Sequence, residues 1–298
     1  MGNTNKINWN IAAFVVPGVL FFLLFRYVPI YFVQIAFRDF RITKPVGEAP
    51  WVGFKYFQQL FSMPGFTRVL VNTVVISLYK LILIWPLPIM LAILLNELTN
   101  ERFKKVTQTI LYLPHFISWV VIGGIIMDFL ALEGGLVNKL LAPFYSEPQY
   151  FIGKKELFRP ILVVSEAWKT VGWESIIYLA SLSRINPELY EAARVDGAGR
   201  LRCMWHITLP GITDVIVIML ILRIGNLLNV GFEQNMVLVN PFVRDVGEIL
   251  DTYVWRTGLR EGRFSYAAAA GLFKTIIAAV LLNTADKVSK KFNQQGLF

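Results

Sequence analysis

Residues Asn186 to Pro210 read NPELYEAARVDGAGRLRCMWHITLP, and they encode a helix, a turn and a second helix. Asn186 can cap a helix whose first position is Pro187, where a missing N–H costs nothing, and Glu188 suits the positive end of the helix dipole. Gly197 ends that helix, because glycine takes the positive φ that lets the chain reverse. A second short helix then runs from about Ala198 to Pro210. The first helix is too short to hold by itself in water and must pack against its own protein or a partner. Leu189, Ala192, Ala193 and Asp196 recur at helical spacing, the two alanines allow close approach, and Glu191 and Arg194 offer charged contacts at the edge. Taken alone, these residues fit either a docking surface or a solvated connecting loop.

The segment lies between long apolar stretches. A helix that crosses a bilayer needs about 20 mostly apolar residues, since each backbone polar group must be bonded inside it. Six stretches meet that demand: Ile11–Phe37, Val69–Leu95, Ile110–Leu130, Ile161–Leu182, Ile207–Val230 and Tyr266–Asp286. The expected fold class is therefore an all-α membrane protein with six transmembrane helices. One transmembrane domain is expected over residues 1–298, because nothing between the stretches could build a separate water-soluble core. Composition agrees: 55% of residues are hydrophobic, 16% are charged and the mean hydropathy is +0.54. The polar start Met1 to Asn10 leads into an apolar run without an A-x-A cleavage signal, so the first stretch is read as a retained span.

The net charge of +9 comes from basic residues scattered between apolar spans, not gathered in a stripe with aromatics, which argues against nucleic acid. Cys203 is the single cysteine, and His115 and His206 are the two histidines, so no disulfide, thiolate cluster or multi-histidine metal site is expected. No group of acid, base or nucleophile forms a catalytic set. The N-terminus, the second-to-third loop, the fourth-to-fifth loop (residues 183–206) and the tail are assigned to the cytoplasm. They carry eleven Lys or Arg against thirteen in the longer opposite loops, so basic density supports this orientation only weakly. Lys80, with Pro86 and Pro88 nearby, Asp128 and Lys274 interrupt the spans and need water, a partner, a cavity or a snorkelling path.

The spacing Glu191-Ala192-Ala193, three residues, Gly197, nine residues, Ile207-x-Leu209-Pro210 resembles the signature of the membrane subunits of binding-protein-dependent ABC importers. Leu94 to Trp119 and Gly134 to Leu141 are similar to carbohydrate permeases of that family, and the resemblance covers nearly the whole chain. It implies the type I importer permease fold, a multi-pass subunit in the plasma (inner) membrane of a prokaryote, and both termini in the cytoplasm. It implies that Glu188, Glu191, Ala192, Ala193, Asp196, Gly197 and Gly199 couple to a cytoplasmic ABC ATPase dimer. Glu191 would meet the ATPase surface, Ala192 and Ala193 would fit its cleft, and Gly197 would set the turn. ATP and Mg would sit on that partner; this chain would bind no cofactor and do no covalent chemistry, and no G-x-x-x-x-G-K-[ST] phosphate cradle occurs in it. A second, homologous permease subunit and an extracytoplasmic solute-binding protein would complete the importer.

A sugar leaving water needs hydrogen-bonding groups and aromatic faces on inward sides of spans. Glu166, Thr170 and Trp173 lie at i, i+4 and i+7 with Lys169 adjacent, and Asn226 and Asn229 are three apart, so these six are the candidate pathway residues. The same polar groups could instead tie helices together. His115 beside Pro114 is read as structural. Competing functions are a different cargo in the same importer class and, against the EAA segment, an ion-coupled secondary transporter.

Overall fold

The computed structural model describes residues 9–144 and 147–291. The N-terminal Lys6 and residues 145–146 of the expected outer loop lie outside the described residues. Within them the chain is helical: α1 (Trp9–Phe22), α2 (Lys55–Ser62), α3 (Pro64–Leu83), α4 (Pro86–Asn96), α5 (Glu101–Tyr112), α6 (Trp119–Phe129), α7 (Leu136–Leu141), α8 (Lys155–Leu182), α9 (Pro187–Val195), α10 (Arg200–Cys203), α11 (Leu209–Gly211), α12 (Thr213–Gly225), α13 (Phe232–Leu238), α14 (Arg244–Gly247), α15 (Leu250–Trp255) and α16 (Phe264–Lys291). The one extended pairing among the described residues is an isolated antiparallel bridge between Arg38 and Trp51.

Prolines and small polar caps decide where these helices break. After α1 the chain widens into a π-turn, Leu23–Tyr27, because Pro29 lacks an N–H and its ring crowds the carbonyl four residues back. The same cause places the π-turn Met204–Thr208 before Pro210. Pro86 opens α4 at a position that needs no N–H. At Pro114 the third apolar stretch leaves the helix, and Ser118 starts a new one by accepting from the Val121 N–H.

Among the described residues three helices are long and apolar enough to cross a membrane: Ala13–Phe37, Pro64–Asn96 and Phe264–Val288. Two pairs qualify only when each is taken together, Glu101–Phe116 with Trp119–Phe129, bent by 99°, and Arg200–Gly211 with Thr213–Gly225, bent by 61°. The third and fifth expected stretches are thus not straight rods. The fourth, α8, is a continuous helix of 28 residues, about 42 Å long. It is less apolar than these because Glu166, Lys169 and Glu174 interrupt it.

The described chain divides into two compact units. In the first, which runs to Pro64 and includes Val254–Phe273, the loop after the first span is held by its own side chains. Arg38 donates from Nη1 to the carbonyls of Gly47 at 2.9 Å and Ala49 at 2.8 Å. Phe37 stacks on Trp51 at 5.5 Å, and Ser265 Oγ accepts from the Phe40 N–H. Burial, then the neighbouring Asp39 carboxylate, raises the Tyr56 phenol above its ordinary pKa.

The second unit comprises Gly65–Tyr253 and the chain from Lys274 onward. One apolar cluster joins α4, α8 and the start of α12 through Ile89, Ala92, Ile93, Tyr178, Leu182 and Ile212. Another gathers Ile76, Phe158, Leu162, Val230, Leu238 and Ile249. Gly172 lets α5 approach α8: a Cβ there would lie 2.0 Å from the Leu111 carbonyl oxygen. This packing fixes the register of α8, and with it the polar residues described next.

Candidate functional site

The loop after α8 folds as its sequence dictates. Asn186 Oδ1 accepts from the Glu188 N–H at 3.0 Å and Pro187 occupies the first helical position. At the far end Gly197 has φ +76°. Its N–H bonds the Arg194 carbonyl at 3.0 Å while the Ala198 N–H bonds the Ala193 carbonyl at 2.8 Å, the pair of bonds that closes a Schellman motif. None of α9 is buried. Glu188, Glu191, Ala192, Asp196, Gly197 and Gly199 are exposed, and Ala193 is half-buried. The inner contact comes from Tyr190, whose hydroxyl lies 3.1 Å from Thr208 Oγ1 in the π-turn leading to α11. Sequence reasoning missed Tyr190, since nothing local announces a partner eighteen residues away.

Within the second unit a cavity of about 310 Å³ opens among α3, α8 and α12, lined by Lys80, Glu166, Glu174, Arg223, Asn226 and Asn229 together with Ser77, Trp85 and Tyr178. Two ion pairs line it, Lys80 with Glu166 and Arg223 with Glu174, and a third, Lys274 with Asp251, adjoins it through the bond from Lys274 to Asn229. Lys80 also donates to the Val230 carbonyl at 3.1 Å and to Gln234 Oε1 at 2.8 Å. Gln234 in turn donates to the Leu162 carbonyl and to Ser165 Oγ, each at 2.8 Å. Ser77 Oγ donates to the Leu227 carbonyl. The carbonyls freed where the fifth expected span unwinds are therefore capped by α3. Non-helical backbone at membrane depth requires such partners.

Of the six pathway candidates, the structure brings Glu166, Asn226 and Asn229 to this cavity. Asn229 Nδ2 donates to Asn226 Oδ1 at 3.0 Å, and Asn229 Oδ1 accepts from Lys274 Nζ at 2.6 Å. Glu166 pairs with Lys80, not with the adjacent Lys169. Lys169 lies elsewhere: buried, it donates to the carbonyls of His115 at 2.8 Å, Pro114 at 3.4 Å and Ile117. Its Nζ also sits 5.6 Å from the centre of the Trp119 ring. It caps the bend between α5 and α6. Thr170 donates to the Glu166 carbonyl four residues back. Trp173, 41% exposed, stacks on His115 with 4.5 Å between ring centres and meets Phe116 edge-on. Among the described residues no group of three or more His, Cys, Asp or Glu is placed to hold a metal ion.

Comparison with known proteins places this geometry. Residues 84–293 match the family model of the binding-protein-dependent transport system inner membrane component. The chain belongs to this family. Among its relatives in Bacillus subtilis, the permease is 45% identical to the polygalacturonan/rhamnogalacturonan transport system permease protein YteP, over 95% of this chain and 88% of that one. It is 43% identical to Protein LplB over 95% and 89% of the two chains. It also superposes on a chain of the bacterial alginate ABC transporter in complex with an alginate pentasaccharide-bound periplasmic protein, with a TM-score of 0.91, 37% identity and 98% coverage of both chains. The chain is thus a membrane-embedded, multi-pass permease subunit of a binding-protein-dependent ABC importer, with the helical fold of such subunits.

Proposed function

We propose that the permease forms half of the translocation pathway for a sugar, oligosaccharide or polysaccharide fragment and couples that pathway to a separate ATPase. The observation that carries this reading is α9, a short, unburied helix closed by the Gly197 turn and joined to the start of the fifth span through Tyr190 and Thr208. Such a helix is a surface for a partner, and the cytoplasmic ABC ATPase dimer, holding ATP and Mg, is the partner in this importer class. Glu188, Glu191, Ala192, Ala193, Asp196, Gly197 and Gly199 form the contact. This chain holds no cofactor, and ATP hydrolysis belongs to the partner.

A second, homologous permease subunit completes the pathway, and an extracytoplasmic solute-binding protein delivers cargo to it. The bent pairs and α8 count as spans, giving six in one permease domain, with both termini on the cytoplasmic side of a prokaryotic plasma membrane. Glu166, Asn226 and Asn229 meet cargo from the cavity wall, Thr170 and Trp173 continue that face of α8, and Lys169 holds the bend beside it. A carbohydrate cargo is supported by the relatives named for polygalacturonan/rhamnogalacturonan and alginate transport and by the polar groups of the cavity.

The test is purification of the subunit in detergent from cells that hold its partners, as wild type, Gly197→Pro and Glu191→Lys. Wild type is expected to bring down an ATPase and a second permease, and the variants to lose the ATPase or its stimulation. Wild type that purifies alone and moves solute without ATP would instead mark an ion-coupled transporter.

A further inference from the structure

The three cations beside the cavity differ in how much of their hydrogen-bonding capacity is used. An ammonium carries three N–H donors and a guanidinium five, set in a rigid fork. Lys80 spends its donors on Glu166, the Val230 carbonyl and Gln234. Lys274 bonds Asn229 and Asp251. Arg223 makes a single bond among the described residues, from Nη1 to Glu174 Oε2 at 2.7 Å. Its side chain is 21% exposed and lies on the cavity wall. The cavity therefore presents one cation whose fork is mostly unspent.

We propose that Arg223 recognises a carboxylate of the transported sugar, so that the cargo is a uronate-containing oligosaccharide; this rests on the sugar-import reading above. A guanidinium fork matches a carboxylate with two parallel bonds, and such charge-assisted bonds are roughly twice as strong as those to a hydroxyl. Glu166 does not compete for Arg223, because its charge is paired with Lys80. Glu174 does compete, because it is paired with Arg223. The cargo carboxylate is then held firmly enough to enter and loosely enough to leave, the condition for passage through a site. The neighbouring Asn226 and Asn229 amides each use one N–H, on the Leu222 carbonyl and on Asn226 Oδ1, which leaves each a second N–H for sugar hydroxyls.

The experiment uses the assembled transporter, with its second permease, ATPase and binding protein, in liposomes. The probes are trisaccharides of galacturonate and of mannuronate, each paired with its carboxyl-reduced, neutral counterpart. Wild type is expected to take up at least one acidic probe about tenfold faster than its neutral partner. Arg223→Gln should erase that difference, Arg223→Lys should keep part of it, and Glu174→Gln should lower the concentration of acidic probe needed for half-maximal uptake. The binding protein is unchanged throughout, so these effects belong to the permease, and recovery of the intact complex on size exclusion separates them from misfolding. The proposal is overturned if wild type does not favour an acidic probe, or if Arg223→Gln lowers both members of a pair by the same fraction, as a mere tie between α12 and α8 would. Failure of the importer reading looks different: no ATPase is recovered and no sugar is taken up on ATP addition.

Discussion

Lys80 and Lys169 are both buried lysines, and each caps carbonyls where a neighbouring helix unwinds. Their surroundings differ in one respect. Lys80 meets a carboxylate, Glu166, as well as the Val230 carbonyl. Lys169 meets carbonyls and the Trp119 ring, and takes part in none of the described ion pairs. The difference teaches that a buried charge has two distinct structural uses. One is to balance another charge; the other is to supply several donors at once to backbone that has left its helix.

Substitution can break this comparison. Lys80→Met should have the largest effect, about 3–5 kcal/mol, because it leaves Glu166 as an uncompensated charge. Thermal unfolding in detergent measures it, and adding Glu166→Gln should recover a large part of the loss. Lys169→Met should cost less, about 1–3 kcal/mol for carbonyls left without donors, and no acidic-to-neutral change should restore it. If Glu166→Gln rescued both lysine variants alike, the distinction would be lost.

Gly172→Ala comes next, since its Cβ would press on the Leu111 carbonyl oxygen at 2.0 Å. Overpacking of that kind costs about 1–3 kcal/mol, and it should loosen the packing of α5 on α8, next to the bend that Lys169 caps. The smallest effect belongs to an exposed pair. The hydrogen bond from Lys155 holds the Asp245 carboxyl below its ordinary pKa. Its contribution is present above the ordinary carboxylate range and is lost as the pH falls through the lowered value. Asp245→Asn should therefore lower the melting temperature slightly at neutral pH, with the difference from wild type closing in acid.

How far the sequence was legible follows from the range of the interactions. The cap at Asn186, the Pro187 start and the positive φ of Gly197 are set by neighbours a few residues apart, and the structure has them as read. The third apolar stretch reads as one span, yet Pro114 and the Ser118 cap bend it by 99°. The sequence leaves Lys80 open between snorkelling and a partner, and its partner is 86 residues away in α8. Adjacency to Thr170 groups Lys169 with the pathway in the sequence, but helical neighbours in sequence point to different faces. Arg223 and Glu174, which share the cavity wall, are separated by 49 residues and no periodic pattern links them. Local chemistry fixed caps and turns, while the pairing of charges depended on how the helices pack.

The Schellman turn at Gly197 has a mechanical side. Its carbonyls are already bonded within the motif, and the Tyr190 hydroxyl fastens α9 to Thr208 beyond the turn. The loop is therefore anchored at two points and has little slack. If a partner presses on α9 as proposed above, the push would pass through Tyr190 to the π-turn just before Pro210 and be felt by the helix that follows. A longer, glycine-rich connection would take up the same push as a change of its own shape, and the lever would be gone.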